Sequence, residues 1–340
     1  MRCVKGLCEN CFAAYDIRGR LPKSPQFLNL LVAGVVGLSL PLSPAAALTI
    51  DDVFDSSITG AGNAAAIESA INAASLQIAS LYSDPITVQI LFQTSSGVGG
   101  AQSNTSIYYG PTNAYLSFLG ADAAAHPANT TLGTAVNHLP SVSSDSVVFL
   151  SSSNLRALGY SPAPGTITIN SNTYDGVITL NPTFATTTAI IQHEIDEVLG
   201  GGGVGTVLGQ GLPSAINLGS LDIYRYSAPG TLSLTPSTTA TAYFSVDGGV
   251  TPIAYFNQSG SGDYGDFLTT PCLIQSWAVC GTTDTFTKNS VEFAMLEAIG
   301  YDPYPTPLPS SWMMMISGLA GFGLLARRKM KKAHVVAAMA

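Results

Sequence analysis

The stretch from Gln192 to Gly203 constrains the fold of this chain more than any other. It reads QHEIDEVLG followed by three more glycines, and neither proline nor glycine interrupts residues 186–199. Thr187 is a suitable N-terminal cap, and a glycine run ends a helix abruptly. The pattern therefore predicts a helix that begins near Thr187 and ends at Leu199.

Two side chains of this helix are placed to bind the same ion. His193 and Glu197 are four residues apart and share one helix face, whereas Glu194 lies about 100° further around, where it can hold a water. This is the arrangement of an H-E-x-x-H zinc-protease helix with glutamate in place of the second histidine. The alternative is a solvated helix face, but the apolar residues 189–191 indicate a buried helix, and buried charges need a counter-ion. We expect one zinc ion, with His193 and Glu197 as ligands and Glu194 as general base.

Charge separates the two ends of the chain from its middle. Of the 13 Lys and Arg residues, five lie in residues 1–23 and five in 327–332. Residues 48–310 hold three basic and 19 acidic residues, a net charge of −16. Such an acidic body argues against binding to nucleic acid and against adhesion to anionic lipid.

The first 47 residues have the composition of a signal peptide. Basic residues precede an apolar run at residues 27–42, and a small-residue cleavage site ends at Ala47. We expect cleavage after Ala47 and a single domain over residues 48–302. A retained N-terminal membrane anchor is the alternative interpretation.

A second apolar segment lies near the C-terminus, after a proline-rich spacer at residues 303–311. The segment Trp312–Ala326 is roughly 22 Å long as a helix, which is short for a hydrocarbon core of about 30 Å. Trp312 suits the membrane interface, and the basic residues 327–332 resist translocation. Residues 312–340 are therefore expected to form a transmembrane helix and a cytoplasmic tail, with the body facing the periplasm.

The tail resembles the PEP-CTERM sorting signal of exported proteins from biofilm-forming Gram-negative bacteria. The resemblance rests on Pro307, Pro309, Ser310 and Trp312, followed by the short apolar helix and the basic end, with Leu308 where the usual motif has glutamate. It implies an exosortase-type membrane enzyme as partner, which cuts near the motif and sends the body to the cell surface or the medium. An uncut protein held in the inner membrane is the alternative.

The body combines helix signals with strand signals. Apolar residues recur at helical spacing over residues 64–82 and alternate over 86–92. Further strands are predicted at 146–150, 166–169 and 177–180, the last two joined by residues 170–176. A helix, several strands and then the His193 helix follow each other as in the upper half of a zincin protease. We therefore predict an α+β, zincin-like fold in which a mixed sheet lies over the active-site helix and an edge strand holds substrate.

Downstream of the His193 helix, the strands 243–246 and 253–256 flank Asp247-Gly248-Gly249 and predict a hairpin. A short helix is predicted at 291–299. The glycine-rich loop 257–266 permits two interpretations: a calcium site that uses Asp263 and Asp266, or a plain surface loop.

Several short segments together resemble a group of exported bacterial metalloproteases. They are HEIDEVLGGG from His193, LDIYRYS from Leu221, YFSVDGG from Tyr243, FNQ from Phe256, GDYGD from Gly262 and LEAIGYD from Leu296. The resemblance spans roughly residues 50–302 and implies a zinc-dependent endopeptidase of the zincin type. The spacing of Gly200 from His193 also resembles metzincins, whose second and third histidines fall at the positions of Glu197 and Gly203.

A catalytic zinc ion needs three protein ligands and one open position. Asp222, which lies after the glycine-rich segment and between two apolar residues, is the candidate for the third ligand. An Asp222–Arg225 ion pair is the alternative. Tyr224 or Tyr226, of which we favour Tyr226, is then the candidate donor to the oxyanion of a tetrahedral intermediate.

Two cysteines, Cys272 and Cys280, occur in the body. In an oxidising exterior, an isolated pair at this spacing predicts a disulfide that closes a small loop and contributes roughly 2–3 kcal/mol.

The sequence predicts an exported, zinc-dependent endopeptidase that hydrolyses a protein or peptide substrate through a metal-activated water. The alternative is a non-catalytic surface or biofilm-matrix protein that keeps a metal-stabilised fold, with Ca²⁺ as a further candidate ion. The missing second and third histidines and the sorting tail motivate that alternative.

Overall fold

The computed structural model describes residues 47–161, 163–212, 216–281 and 284–305. The described residues through Pro303 form one compact unit of helices and several sheets, so the predicted α+β class is confirmed. The signal peptide expected before Ala47, the sorting motif and the tail helix lie outside the described residues. Within the described ranges, no helix combines the length and the apolar character needed to cross a membrane.

The regular elements of the described residues are seven α-helices and thirteen strands. The helices are α1 (Ser56–Thr59), α2 (Ala64–Ala79), α3 (Thr112–Ala125), α4 (Thr130–Val136), α5 (Ser152–Ala157), α6 (Thr188–Leu199) and α7 (Val291–Ala298). The strands are β1 (Thr49–Phe54), β2 (Thr87–Thr94), β3 (Ala101–Thr105), β4 (Ile107–Pro111), β5 (Val147–Ser151), β6 (Ile167–Ile169), β7 (Asn172–Tyr174), β8 (Gly176–Leu180), β9 (Asn217–Gly219), β10 (Arg225–Ala228), β11 (Thr231–Leu232), β12 (Tyr243–Phe244) and β13 (Ala254–Tyr255).

The sheet nearest the candidate site is mixed and has the strand order β1-β2-β8-β3. β1, β2 and β8 are parallel, whereas β3 pairs antiparallel to β8, with Ala101 opposite Leu180 and Thr105 opposite Gly176. β3 is therefore an edge strand, and its outer side is not paired within this sheet. It lies against α6, so the edge of the sheet faces the helix that carries His193.

The core forms where α2 packs against β1 and against α6. β2 alternates as predicted, and one of its faces enters the core together with the apolar stripe of α2. The buried residues of these two faces are Val88, Ile90, Phe92, Ile67, Ile71 and Ile78. The apolar periodicity read from the sequence therefore identifies this layer correctly.

Helix α6 has the predicted bounds within two residues and ends as expected at Gly200, which adopts a left-handed conformation with φ +104°. The helix is buried on nearly all sides. Its apolar residues enter the core, and the charged Glu194, Asp196 and Glu197 are buried as well. Burial of the helix is thus confirmed, and the solvated-face alternative is wrong.

The predicted hairpin around Asp247 is present, since β12 pairs antiparallel with β13. The segment 170–176, expected to be a simple connection, instead contains β7, which pairs with β6 in a second hairpin. Asn170 and Ser171 form its two-residue turn with φ of +49° and +67°. Such turns require positive φ at both central residues, a conformation that asparagine tolerates.

The C-terminal end of the compact unit is tied to the start of β2 by buried carboxyl groups. Asp84 accepts a hydrogen bond from the backbone N–H of Asp302 at 3.0 Å, and the carbonyl of Asp302 accepts one from the N–H of Ser83. Burial, together with the nearby charge of Asp302, raises the pKa of Asp84 to about 8.

Asp84→Asn is expected to flatten the dependence of stability on pH. The folded-state pKa of Asp84 is raised above its usual 3.8. The contribution of the protonated Asp84 carboxyl to folding stability is therefore fully present below pH 4 and is lost as pH rises towards 8. The slope is at most about 1.4 kcal/mol per pH unit for one group. Asparagine keeps an oxygen acceptor for Asp302, so the variant should be more stable than wild type at pH 8. Thermal unfolding at pH 5 and pH 8 measures this, and an unchanged difference between the two pH values would contradict it.

Candidate metal centre

Helix α6 presents His193 to a cleft with its ring already oriented. The Nδ1 atom of His193 lies 3.0 Å from the carbonyl oxygen of Ile274. A carbonyl can only accept, so Nδ1 carries a proton, and Nε2 is the ring nitrogen that can offer its lone pair to a cation when the ring is neutral. A histidine that binds a metal through one ring nitrogen usually donates the N–H of the other nitrogen in this way.

Glu197 is held in place by two hydrogen-bond donors. Its Oε2 accepts from the Ser103 hydroxyl of β3 at 2.5 Å, and its Oε1 accepts from the Gly203 N–H at 3.1 Å. The same Oε1 lies 3.8 Å from His193 Nε2. The two side chains predicted to be ligands, His193 and Glu197, therefore lie close together, and a hydrogen bond from the edge strand β3 holds Glu197 in place.

The carboxylate that joins this pair is Asp266. Its Oδ2 lies 3.7 Å from His193 Nε2, and one ligand atom from each of His193, Glu197 and Asp266 lies within 4.8 Å of the other two. The sequence indicated a calcium loop or a surface loop here, yet Asp266 is only 2% exposed. Asp263, from the same loop, lines the cleft.

Asp222, the candidate expected from the sequence, lies in a different environment. Its carboxylate accepts from the Thr206 hydroxyl at 2.6 Å, from the Gly219 N–H at 2.6 Å and from the Val207 N–H at 3.4 Å. These bonds fix the return of the chain after the glycine-rich segment. Asp222 therefore stabilises a loop and is not one of the three clustered residues. Asp266 occupies the position that was expected for Asp222.

Arg225, the alternative partner of Asp222, interacts with Asp222 electrostatically, but its hydrogen bonds go to other groups. Its guanidinium donates to the carbonyl of Tyr264 and to Gln258 Oε1, and it lies 4.4 Å above the ring of Phe256. Arg225 thus anchors the segment that precedes Asp266.

The two tyrosines considered as oxyanion donors do not line the cleft. The hydroxyl of Tyr224 donates to the carbonyl of Ala298 at 2.7 Å. Tyr226 lies on β10 and is buried beside Gly249. The expectation that Tyr226 faces a substrate is not met by this geometry, because β10 belongs to the antiparallel sheet and not to the cleft wall.

The cleft has a volume of about 330 Å³ and lies between β3, α6 and the loop 272–281. Glu194 lines it beside His193 and Glu197. The loop is closed by a disulfide between Cys272 and Cys280, the pair predicted from the sequence. It supplies apolar residues to the wall, among them Trp277 and Val279.

The charges at the bottom of the cleft shift the pKa values of its titratable groups upwards. Burial lowers the pKa of His193, but Asp266, Glu194 and Glu197 outweigh it and raise that pKa to about 10. Burial raises the pKa of Glu194, with Glu197 adding to the effect, and it raises that of Glu197. The pKa of Asp266 is raised by burial to about 7. Three buried carboxyl groups surround one imidazole, and a divalent cation at this point would stabilise their ionised forms.

These residues fit a divalent cation. One imidazole nitrogen with an oriented lone pair and two buried carboxylates converge, and one oxygen of Glu194 has no hydrogen-bond partner among the described residues. The donor set contains no thiolate and is rich in oxygen, so Zn²⁺, Mn²⁺ and Ca²⁺ are all chemically suitable.

Gly203, which occupies the position of a third metzincin histidine, has no room for a side chain. A Cβ atom built on it would lie 2.6 Å from Glu197 Oε1 and 2.8 Å from the Cβ of Asp263. Position 203 therefore does lie at the site, but it contributes its backbone N–H to Glu197 instead of a side-chain ligand.

Gly203→Ala is expected to weaken cation binding at least about tenfold and to destabilise the fold by about 1–3 kcal/mol, because the new methyl group displaces Glu197 or Asp263. Isothermal titration with Zn²⁺ and thermal unfolding measure the two effects. Gly120→Ala is the matched control, since a Cβ at Gly120 meets nothing within 4 Å. Equal zinc affinity in both variants would contradict the role of Gly203.

A second group of side chains, Asp122, His126 and Asp302, also lies close together. His126 Nδ1 is 2.8 Å from Asp122 Oδ1 and 2.5 Å from Asp302 Oδ2. His126 is half exposed, and its contacts join the end of α3 to the end of the compact unit. We interpret this group as a structural ion-pair cluster.

The sequence analysis placed Asp266 in a possible calcium loop but did not join it to His193 and Glu197, and it did not single out Gln275. Besides the polar, glycine-rich composition of its loop, the local signal for Asp266 is its place directly before the apolar Phe267-Leu268. Such a signal is weak because many surface loops end in this way.

No protein-family model, curated protein or solved structure gives a significant match to this chain.

Proposed function

We propose that this chain is an exported metallopeptidase that hydrolyses peptide bonds in a protein or peptide substrate with the help of one zinc ion. The observation that supports the proposal best is the convergence of His193, Glu197 and Asp266 at the bottom of a cleft that Glu194 also lines. This combination of candidate ion ligands and a nearby carboxyl group is one arrangement that can hydrolyse an amide. The zincin-like fold is part of the same proposal.

Each residue has a separate role in the proposed reaction. His193, Glu197 and Asp266 would hold the zinc ion, which supplies Lewis acidity when it is bound. Glu194 would accept a proton from the attacking water and transfer it to the leaving amine, a role open to a carboxyl group that lines the cleft beside the proposed ligands.

The edge strand β3 suits the binding of an extended peptide. Its outer backbone groups are not paired within the sheet, and its residues Ala101–Ser103 line the cleft beside α6. An extended substrate can therefore add to β3 as a further strand, which brings its peptide bonds past Glu194. The apolar wall formed by the disulfide loop would contact the substrate side chains opposite β3.

Export and sorting belong to the same proposal. The signal peptide at residues 1–47 would direct the body to the periplasm, and the membrane helix at 312–340 would hold it at the inner membrane. An exosortase-type enzyme would then cut near Pro307–Ser311. The disulfide of the body supports an oxidising location.

Metal analysis and a protease assay on the purified full-length chain test the catalytic proposal. We expect about one zinc ion per chain, and cleavage of casein or of a peptide library that a chelator abolishes and added zinc restores. Absence of chelator-sensitive cleavage from a chain that contains zinc would contradict the enzymatic function.

A non-catalytic surface or matrix protein is the second candidate function. The observation that favours it is that two of the three clustered residues are carboxylates, the donors that calcium prefers. In that case Ca²⁺ would raise the melting temperature, zinc would not be retained, and no proteolysis would be found.

A further inference from the structure

The side chain of Gln275 occupies an unusual place in the candidate metal centre. It is fully buried, and its amide nitrogen Nε2 lies 2.9 Å from Asp266 Oδ1 and 3.2 Å from His193 Nε2. The amide therefore contacts two of the three clustered residues at once. Its oxygen, Oε1, is buried and has no hydrogen-bond partner among the described residues.

The backbone around Gln275 fixes this position. Its N–H donates to Glu292 Oε1 at 2.9 Å, and its carbonyl accepts from the N–H of Phe267 at 2.7 Å. The Cys272–Cys280 disulfide closes the loop that carries it. The preceding carbonyl, that of Ile274, orients His193, so one short loop places both side chains.

Gly202 leaves the space that the amide fills. A Cβ atom on Gly202 would overlap the Gln275 amide nitrogen, and Gly202 has φ +50°, a conformation that favours glycine. The chain thus keeps room for a polar side chain deep in the site. The Gln275 amide is therefore an interior group of the site and not part of the protein surface.

The distances around the amide match those between neighbouring ligands of one ion. Donor atoms about 2.1 Å from a common ion and about 90° apart are separated by about 3 Å, close to the two distances of the Gln275 amide. A half-turn of the amide about its last bond exchanges nitrogen and oxygen without moving the rest of the side chain. Oε1 then points to where His193 Nε2 and Asp266 converge.

We propose that Gln275 is a fourth protein ligand of the ion, through its amide oxygen. The proposal rests on the proposed metal-dependent function. It makes the protein donor set one imidazole nitrogen, two carboxylates and one amide oxygen, which suits a divalent ion that accepts oxygen donors. With four protein ligands, the position open to water would be a fifth one, a coordination number that catalytic zinc can reach. In the structure the amide has the other orientation: its nitrogen donates to Asp266 and lies near His193 Nε2.

Two substitutions distinguish a ligand from a hydrogen-bond donor. Gln275→Leu removes both polar atoms and should weaken binding of Zn²⁺ and Co²⁺ by at least about tenfold. Gln275→Glu replaces the N–H donor by a second oxygen. If Gln275 binds the ion through oxygen, the Glu variant should bind at least as tightly as wild type. If it acts as a donor to Asp266, the added carboxylate should repel Asp266 and weaken binding.

The measurement is a titration of the full-length chain and both variants with Co²⁺, followed by visible absorption, with Zn²⁺ competition for the affinities. The cobalt bands report the number and type of ligands and do not depend on turnover. We expect an altered spectrum for the Leu variant and a spectrum close to wild type for the Glu variant. If the Leu variant does not fold, the Glu variant and its affinity decide.

The outcomes separate this proposal from the proposed function. A wild-type chain that takes up neither ion overturns both. If the wild type binds cobalt, either of two results overturns the ligand role of Gln275 alone. One is an unchanged spectrum and affinity in Gln275→Leu, and the other is a weakened affinity in a folded Gln275→Glu.

Discussion

Glu194→Gln is expected to lower the rate of peptide hydrolysis by about 10²–10⁴-fold and to leave the bound ion in place. Glutamine has nearly the same shape as glutamate but cannot accept the proton of the attacking water. The ion is retained because His193, Glu197 and Asp266 are unchanged. Removal of a buried carboxyl group next to Glu197 also relieves repulsion, so the variant should be no less stable than wild type.

The rate is measured with a fluorogenic peptide taken from the library, and the ion content is measured on the same sample. Glu68→Gln on α2 is the matched control, because it makes the same chemical change in a residue that does not line the cleft. Turnover that survives in Glu194→Gln, with ion bound, would show that Glu194 is not the base.

Asp266→Asn is expected to weaken zinc binding by more than about 100-fold, the largest effect of any single carboxylate outside α6. The charge of Asp266 lies 3.7 Å from His193 Nε2, and loss of a direct ligand should cost more than the tenfold to hundredfold typical of supporting residues. Asp222→Asn is the matched comparison, since Asp222 accepts three hydrogen bonds from the loop around it. This second variant should lose about 1–3 kcal/mol of stability while its zinc affinity stays near that of wild type.

Competition with a chromophoric chelator gives the zinc affinities, and thermal unfolding gives the stabilities. The opposite result, in which Asp222→Asn loses the ion and Asp266→Asn keeps it, would restore Asp222 as the third ligand and contradict the arrangement described above.

The sequence alone predicted the part of the site that lies within one helix. The i, i+4 spacing places His193 and Glu197 on the same face, because helix geometry is a local property of the backbone. Gly200 ends the helix for an equally local reason, namely its left-handed conformation. The alternation of β2, the hairpin of β12 with β13 and the Cys272–Cys280 bridge were predicted from short-range patterns in the same way.

The remaining partners of the site come from distant parts of the chain. Ser103 contacts Glu197 from an edge strand more than 90 residues away, and Gln275 approaches His193 across 82 residues. Strand pairing decides the first contact and the path of the disulfide loop decides the second, and neither leaves a periodic signal.

The choice between Asp222 and Asp266 shows the physical limit of sequence reasoning most clearly. Both are carboxylates beside apolar residues, downstream of the helix, and the apolar neighbours on both sides of Asp222 favoured Asp222 on sequence grounds. The tertiary structure decides because hydrogen bonds from Thr206 and Gly219 satisfy Asp222 within its own loop. The fold carries Asp266 to His193 instead, so the sequence by itself determined the helix and its two candidate ligands, and only packing between distant segments selected the candidate for the third.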